Sequence, residues 1–200
     1  MNYADVEIMA PAGSFEALTA AINAGCHSVY FGVEQLNMRA RSSINFTTDD
    51  LVRICQQCDA HHVKTYLTLN TILYDHDIRL MKTIIDCAKE SGVTAVIAAD
   101  HAAMAYCKEV GMPVHLSTQA NVSNVETVQF YAGYADVIVL ARELSLSQVA
   151  GIITEIKRKQ IKGPSGELIK IEVFAHGALC MAISGKCYLS LHSHNASANR

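Results

Sequence analysis

Apolar runs of strand length alternate with longer stretches of helical period along the chain. The strand-length runs are VEIMA (6–10), SVYFG (28–32), VKTYLTLN (63–70), TAVIAA (94–99), PVHLST (113–118), DVIVLA (136–141) and IKIEVFAHG (169–177). Between them, residues 14–24, 48–60, 76–91, 101–110, 123–132 and 146–159 carry the spacing of one-sided helices. Thr48 ahead of Asp49 and Asp50 predicts a capped helix start with an acidic first turn, and Gly25, Gly92 and Gly111 stand where helices should stop. Strands without strict alternation are buried on both faces, and strands separated by helices pair in parallel through right-handed crossovers. The predicted class is α/β.

A doubly wound sheet and a (β/α)8 barrel both satisfy that pattern. No GxGxxG or GxxxxGK[ST] follows the first strand, which removes the usual dinucleotide and P-loop readings. Polar residues instead recur at the C-terminal ends of the strands: Asn70, Asp100, Ser117 with Gln119 and Asn121, Arg142 with Glu143, and His176. A barrel gathers such ends around one mouth, and a complete barrel takes about 250 residues and eight strands. The expectation is a TIM-barrel-like domain over residues 1–200 with about seven of eight β/α units, the N-terminal domain of a longer protein. KRKQIKGPSGE (157–167) breaks the pattern and reads as a solvated turn.

Composition narrows this further. With 50% hydrophobic and 18% charged residues, the 200-residue chain can bury one substantial core. A formal net charge of −3 leaves no global basic footprint, so a nucleic acid would have to be held by a local patch. The N-terminal residues MNYADVEIMAPAG show neither a secretory signal nor a membrane anchor, and a cytoplasmic location is expected. Seven cysteines, an odd number scattered through helices and loops, fit a reducing compartment with free or metal-bound thiols. Sequence carries no reading of oligomeric state.

The densest chemistry is HGALCMAISGKCYLSLHSHN (176–195). Thiolates bind soft metals and iron–sulfur clusters, or act as nucleophiles when a base or dipole lowers their pKa. Cys180 and Cys187 are separated by six residues, with Gly185 available to bend the chain, and this is not zinc-knuckle spacing. A cubane cluster takes four thiolates, so two would not suffice. Cys55 and Cys58 have CxxC spacing but share a helical face with Leu51 and Ile54, which favours packing; Cys26, Cys87 and Cys107 read the same way. A peptidase reading has Cys180 attack a carbonyl with His176 as base, but the two are close only in sequence, and neither HExxH nor GxSxG occurs.

EVFAHGALCMAISGKCYLS (172–190) resembles the signature of the collagenase-like peptidases of family U32, E-x-F-x-x-G-[SA]-hydrophobic-C-x4-G-x-C-x-hydrophobic-S. Glu172, Phe174, Gly177, Ala178, Leu179, Cys180, Gly185, Cys187, Leu189 and Ser190 fill its fixed positions. The segments IMAPAGSFEALTAAINAGCHSVYFG, LNMRARSSINF, LTLNTILYD, HLSTQANVSN and VLARELSL are similar to the family's successive strand ends, with Cys26-His27 standing where Ala-Asp is usual.

The resemblance implies oxygen-independent hydroxylation of tRNA uridine, rRNA cytidine or the ubiquinone ring by a protein with a four-cysteine iron–sulfur cluster, linked in the RNA branches to prephenate. It implies Cys180 and Cys187 as two ligands of a 4Fe-4S cluster, the others lying downstream. A pocket lined by Arg39, Arg41, Asn70, Ser117, Gln119 and Asn121 would suit a small anionic metabolite, because arginine forks bind carboxylates, with His176, Arg142 and Glu143 as the candidate catalytic residues beside it. Arg142 and Glu143 also admit a structural ion pair, and His176 a hydrogen-bonded core position. A U32-type peptidase and a non-catalytic substrate-binding module are the competing functions.

Overall fold

A computed structural model describes residues 6–37, 46–177, 182–184 and 192. Seven strands alternate with six α-helices, in the order β1 (Met9–Pro11), α1 (Phe15–Asn23), β2 (Ser28–Phe31), α2 (Leu51–Asp59), β3 (Lys64–Leu69), α3 (Ile78–Glu90), β4 (Ala95–Ala98), α4 (His101–Val110), β5 (Val114–Leu116), α5 (Val125–Tyr131), β6 (Val137–Val139), α6 (Leu146–Lys159) and β7 (Lys170–Glu172). Strand order in the sheet follows chain order from β1 to β7. The β1/β2, β2/β3, β5/β6 and β6/β7 pairings are parallel. A doubly wound sheet reverses its strand order at a switch point, whereas a (β/α)8 barrel adds each strand beside the last. The observed order is the second kind.

Contacts divide the chain into two compact units, Met1–Leu69 with Leu73–Val96, and Asn70–Ile72 with Ile97–Arg200. In the first unit, Leu51, Ile54, Cys55 and Cys58 form the buried stripe of α2, the three-and-four spacing read from the sequence. Phe46 meets Phe15 and Phe31 edge-on at 5.1 and 5.8 Å between ring centroids, and the Arg53 guanidinium lies 3.9 Å from the centre of the Phe15 ring. The entry to α2 begins one residue earlier than expected. Thr47, not Thr48, is the capping residue, its N–H and hydroxyl each donating to the Asp50 carboxylate at 2.8 Å, and residues 48–50 form a single 3-10 turn.

The second unit is built on Leu116, Val128, Ile138, Leu140 and Ile156, all buried. Asp100 caps α4 by accepting from the Ala102 N–H at 2.8 Å, and Gly111 ends that helix at φ +72°, the left-handed conformation a glycine adopts without strain. Residues 157–159 close α6 rather than belonging to the turn, and the turn that follows over 160–167 is strapped to the start of β6. Lys162 bridges Leu168 antiparallel, and the Ser165 N–H and hydroxyl donate to Asp136 Oδ1 at 2.9 and 2.6 Å.

β7 covers residues 170–172, so the predicted run to 177 shortens, and His176 lies exposed beyond the strand. Among the described residues no helix is long and apolar enough to cross a membrane.

Candidate functional site

The second unit holds the densest polar arrangement, at the C-terminal ends of β5, β6 and β7. Where β5 ends, the buried Ser117 donates its N–H to the Ala98 carbonyl at 2.8 Å, and its Oγ accepts from the Gln119 N–H at 3.3 Å. That cap turns the chain through residues 118–120 and leaves Asn121 exposed at φ +52°, a conformation asparagine tolerates. Val122 then bridges Leu140 in parallel, which sets Thr118 over the end of β6. The Thr118 hydroxyl lies within donating distance of the Leu140 carbonyl, 3.3 Å, and of Ser184 Oγ, 3.4 Å.

Beyond β6 come Arg142 and Glu143, and both turn to Ser184. Glu143 accepts from the Ser184 N–H at 2.6 Å and from its hydroxyl at 3.1 Å. Arg142 donates from its backbone N–H and its Nε to Ser184 Oγ at 3.3 and 3.4 Å, and from a terminal nitrogen to the Ala182 carbonyl at 3.2 Å. Ser184 is 1% exposed. Burial raises the proton affinity of Glu143, but the two Ser184 hydrogen bonds, its own backbone N–H and the Arg142 charge outweigh it and hold the carboxyl below the usual range.

His115, buried in the middle of β5, is a second polar feature. Its partner in register is Val137, which pairs with Lys170, so Glu172 two residues further along β7 lies on the same face of the sheet. His115 Nδ1 stands 3.7 Å from the Glu172 carboxylate, within ion-pair range once the imidazole is protonated and long for a hydrogen bond.

The structure thus joins Arg142 and Glu143 through Ser184, with Thr118 and the Ser117–Gln119 cap alongside. Asn70 is half-buried at the end of β3, followed by the buried Thr71. None of the described hydrogen bonds links His176 to the cluster. Arg39, Arg41, Cys180 and Cys187 lie outside the described residues.

Of the other cysteines, Cys55, Cys58 and Cys107 are buried, and burial pushes the thiols of Cys58 and Cys107 up to about 12. Cys26 and Cys87 are only half-buried, less enclosed than the packing reading expected. Sequence reasoning passed over Ser184, Thr118 and His115. His115 alone left a signal, a polar residue in the centre of an apolar strand.

The family model "Peptidase family U32" matches residues 13–200. The chain belongs to peptidase family U32. Among its relatives, a protein named "Collagenase" from Porphyromonas gingivalis strain W83 is 60% identical over the whole chain, which covers 48% of that protein. "tRNA hydroxylation protein P1" of Bacillus subtilis is 32% identical over 97% of the chain and 44% of its own length. This U32 chain therefore spans about half the length of these curated relatives. In fold it is similar to the solved "U32 Peptidase Mk0906", with a TM-score of 0.67 at 16% identity over 88% of this chain and 70% of that one. The fold is α/β of the TIM-barrel-like kind, with seven parallel strands and six α-helices between them among the described residues.

Proposed function

We propose that this U32 chain is the barrel portion of an oxygen-independent RNA hydroxylation protein, acting on a tRNA uridine or an rRNA cytidine. In this reading Cys180 and Cys187 are two ligands of a four-iron cluster completed elsewhere in the protein. Prephenate is the anionic co-substrate, taken by Arg39, Arg41, Asn70, Ser117, Gln119 and Asn121, and His176 moves a proton. The observation that carries the reading is the anchorage of Ser184, which lies in sequence between the two signature cysteines and is buried under Arg142, Glu143 and Thr118. A chelating pair needs two thiolates at a fixed separation, whereas a peptidase needs one thiol and a base.

The three buried cysteines fit a ligand role poorly. A ligating thiol must be deprotonated, and burial holds Cys55, Cys58 and Cys107 as thiols. In this reading the signature pair, and not the three buried thiols, supplies the iron donors. When bound, such a cluster supplies electron transfer at a potential set by its surroundings. The similarity to a tRNA hydroxylation protein over nearly the whole chain supports the same reading.

Anaerobic reconstitution of the intact protein tests it. Iron should bind to the parent and be lost from both Cys180→Ser and Cys187→Ser, and hydroxylated nucleosides should disappear from the RNA of cells carrying either variant. Unchanged iron in both variants would remove the ligand assignment.

A peptidase is the second reading, favoured by the 60% identity to a protein named "Collagenase". Gelatin cleavage by iron-free protein, abolished in Cys180→Ala, would establish it. RNA bound without turnover would leave a substrate-binding module.

A further inference from the structure

We propose that the C-terminal ends of α4, α5 and α6 form a basic docking surface for RNA, which holds the polynucleotide by its phosphates and stacks a base on Phe130. This surface rests on the proposed function only in that RNA is the polyanion.

Lys108, in the last turn of α4, donates to the Gly133 carbonyl just past α5 at 3.0 Å, its Nζ 5.2 Å from the centre of the Tyr134 ring. Gly133 and Gln129 line a hollow of about 300 Å³ together with Lys159 and Gln160 at the end of α6 and Lys162 beyond it. Five cations, Lys108, Lys157, Arg158, Lys159 and Lys162, thus stand along these helix ends.

Much of that charge is left uncompensated within the protein. Arg158 pairs with Glu155 at 2.6 Å and Lys159 with Glu126, but none of the described ion pairs takes Lys108, Lys157 or Lys162. Asp136, to which the turn after α6 is strapped, gives its carboxylate to Ser165. Cations in the last turn of a helix complement its carbonyl end. That accounts for the charges on α4 and α6, but not for Lys162, which lies past α6 and bridges Leu168.

Nor does it account for the rings beside them. Phe130, next to the lining Gln129, is 63% exposed and meets Tyr131 edge-on at 5.0 Å between centroids. Lysines interleaved with an exposed ring suit RNA, because cations follow the phosphates while a ring face takes a base. With a net charge of −3 on the chain, such attraction has to be local. The 14 residues of α6 set Lys159 about 20 Å from the Arg142–Glu143–Ser184 cluster. A contact so remote adds RNA affinity without touching that cluster.

Anisotropy of fluorescent bulk tRNA with the intact protein tests the surface, since phosphate contacts carry no sequence information. At 100 mM salt the triple variant Lys157→Gln, Lys159→Gln, Lys162→Gln should bind at least about fivefold more weakly than the parent, with a flatter dependence on salt. Phe130→Ala should bind at least about threefold more weakly with the salt dependence unchanged. Arg79→Gln, Lys82→Gln, Lys89→Gln, which removes as much charge from the exposed side of α3, should stay within about threefold of the parent. Failure of any of these three expectations, or a parent that does not bind tRNA, overturns the proposal. So does polyglutamate displacing the tRNA as well as unlabelled tRNA does, which would mark an acidic polypeptide as the partner.

Each replaced side chain reaches solvent, so melting temperatures should stay close to the parent's. Should the triple variant not fold, Lys157→Gln with Lys162→Gln keeps the Lys159–Glu126 pair and decides at about threefold. A protein that binds tRNA through this surface yet never binds iron would sink the hydroxylation reading and leave the surface standing. Hydroxylated RNA from a triple variant with the parent's tRNA affinity would do the reverse.

Discussion

Single residues show how far local pattern carries. Cys55 and Cys58 have the spacing of a metal knuckle, but the apolar neighbours at helical intervals assign them to the core, and the structure buries both. Desolvation disfavours a thiolate, and the thiol of Cys58, also beside Cys55, rises to about 12. At neutral pH, Cys55, Cys58 and Cys107 should therefore resist iodoacetamide until urea is added, while the half-buried Cys26 and Cys87 react in the native protein. Labelling of Cys58 as fast as Cys87 would contradict the burial account. Ser184 and His115 were not legible in the same way. What makes Ser184 matter is Glu143, 41 positions away, and what makes His115 matter is Glu172 on another strand. A local pattern has no access to such partners until the strand order and register are known.

At the scale of elements, the sequence is most readable where one face repeats. The stripe of α2 predicts that Ile54→Ala should cost about 2–5 kcal/mol in urea unfolding, whereas Val52→Ala on the exposed side should stay within about 0.5 kcal/mol. Equal costs at the two positions would mean the helix packs on another face. Boundaries are less readable, because they depend on which polar group reaches which backbone donor. Thr47 and Thr48 are equivalent as sequence, and only the Asp50 carboxylate, reaching the N–H and hydroxyl of Thr47, chooses between them.

The segment 157–167 illustrates the same limit. Its glycines and lysines announce a turn but not the anchor, since Asp136 lies 29 positions before Ser165. A Cβ on Gly163 would stand 2.3 Å from Asp136 Oδ1 and 2.9 Å from the Ala135 carbonyl oxygen. The backbone oxygen cannot swing away, so Gly163→Ala should cost about 1–3 kcal/mol by denaturant titration. Gly151→Ala, with open space around its Cβ, is the control and should be neutral or stabilising.

For the molecule as a whole, net charge and the paired carboxylates set the response to acid. Glu7, next to β1, is held by Lys64 at 2.6 Å and by the Tyr66 hydroxyl at 2.5 Å. Burial alone would raise its pKa; these hydrogen bonds and the lysine charge prevail and bring it down to about 2. Asp50 and Glu143 are lowered too, the first by the Thr47 hydrogen bonds and the second, against its burial, mainly by those of Ser184. An unfolded glutamate titrates near about 4.3, so as pH falls through that value the unfolded chain takes up protons that the folded chain refuses. Stability from these groups is therefore complete above about pH 5.5, declines below about 4.5 and is gone once the folded carboxyls protonate.

For Glu7 the shift would correspond to about 3 kcal/mol if fully shielded. With side chains 36% and 51% exposed at the Glu7–Lys64 pair, solvent screening leaves about 1 kcal/mol. Glu7→Gln should thus unfold about 1 kcal/mol more easily than the parent at pH 7, and the two urea-unfolding curves should converge as pH approaches 2. A gap that stays constant from pH 7 down to 2 would show that the glutamate contributes packing rather than charge, and that acid sensitivity originates elsewhere in the molecule.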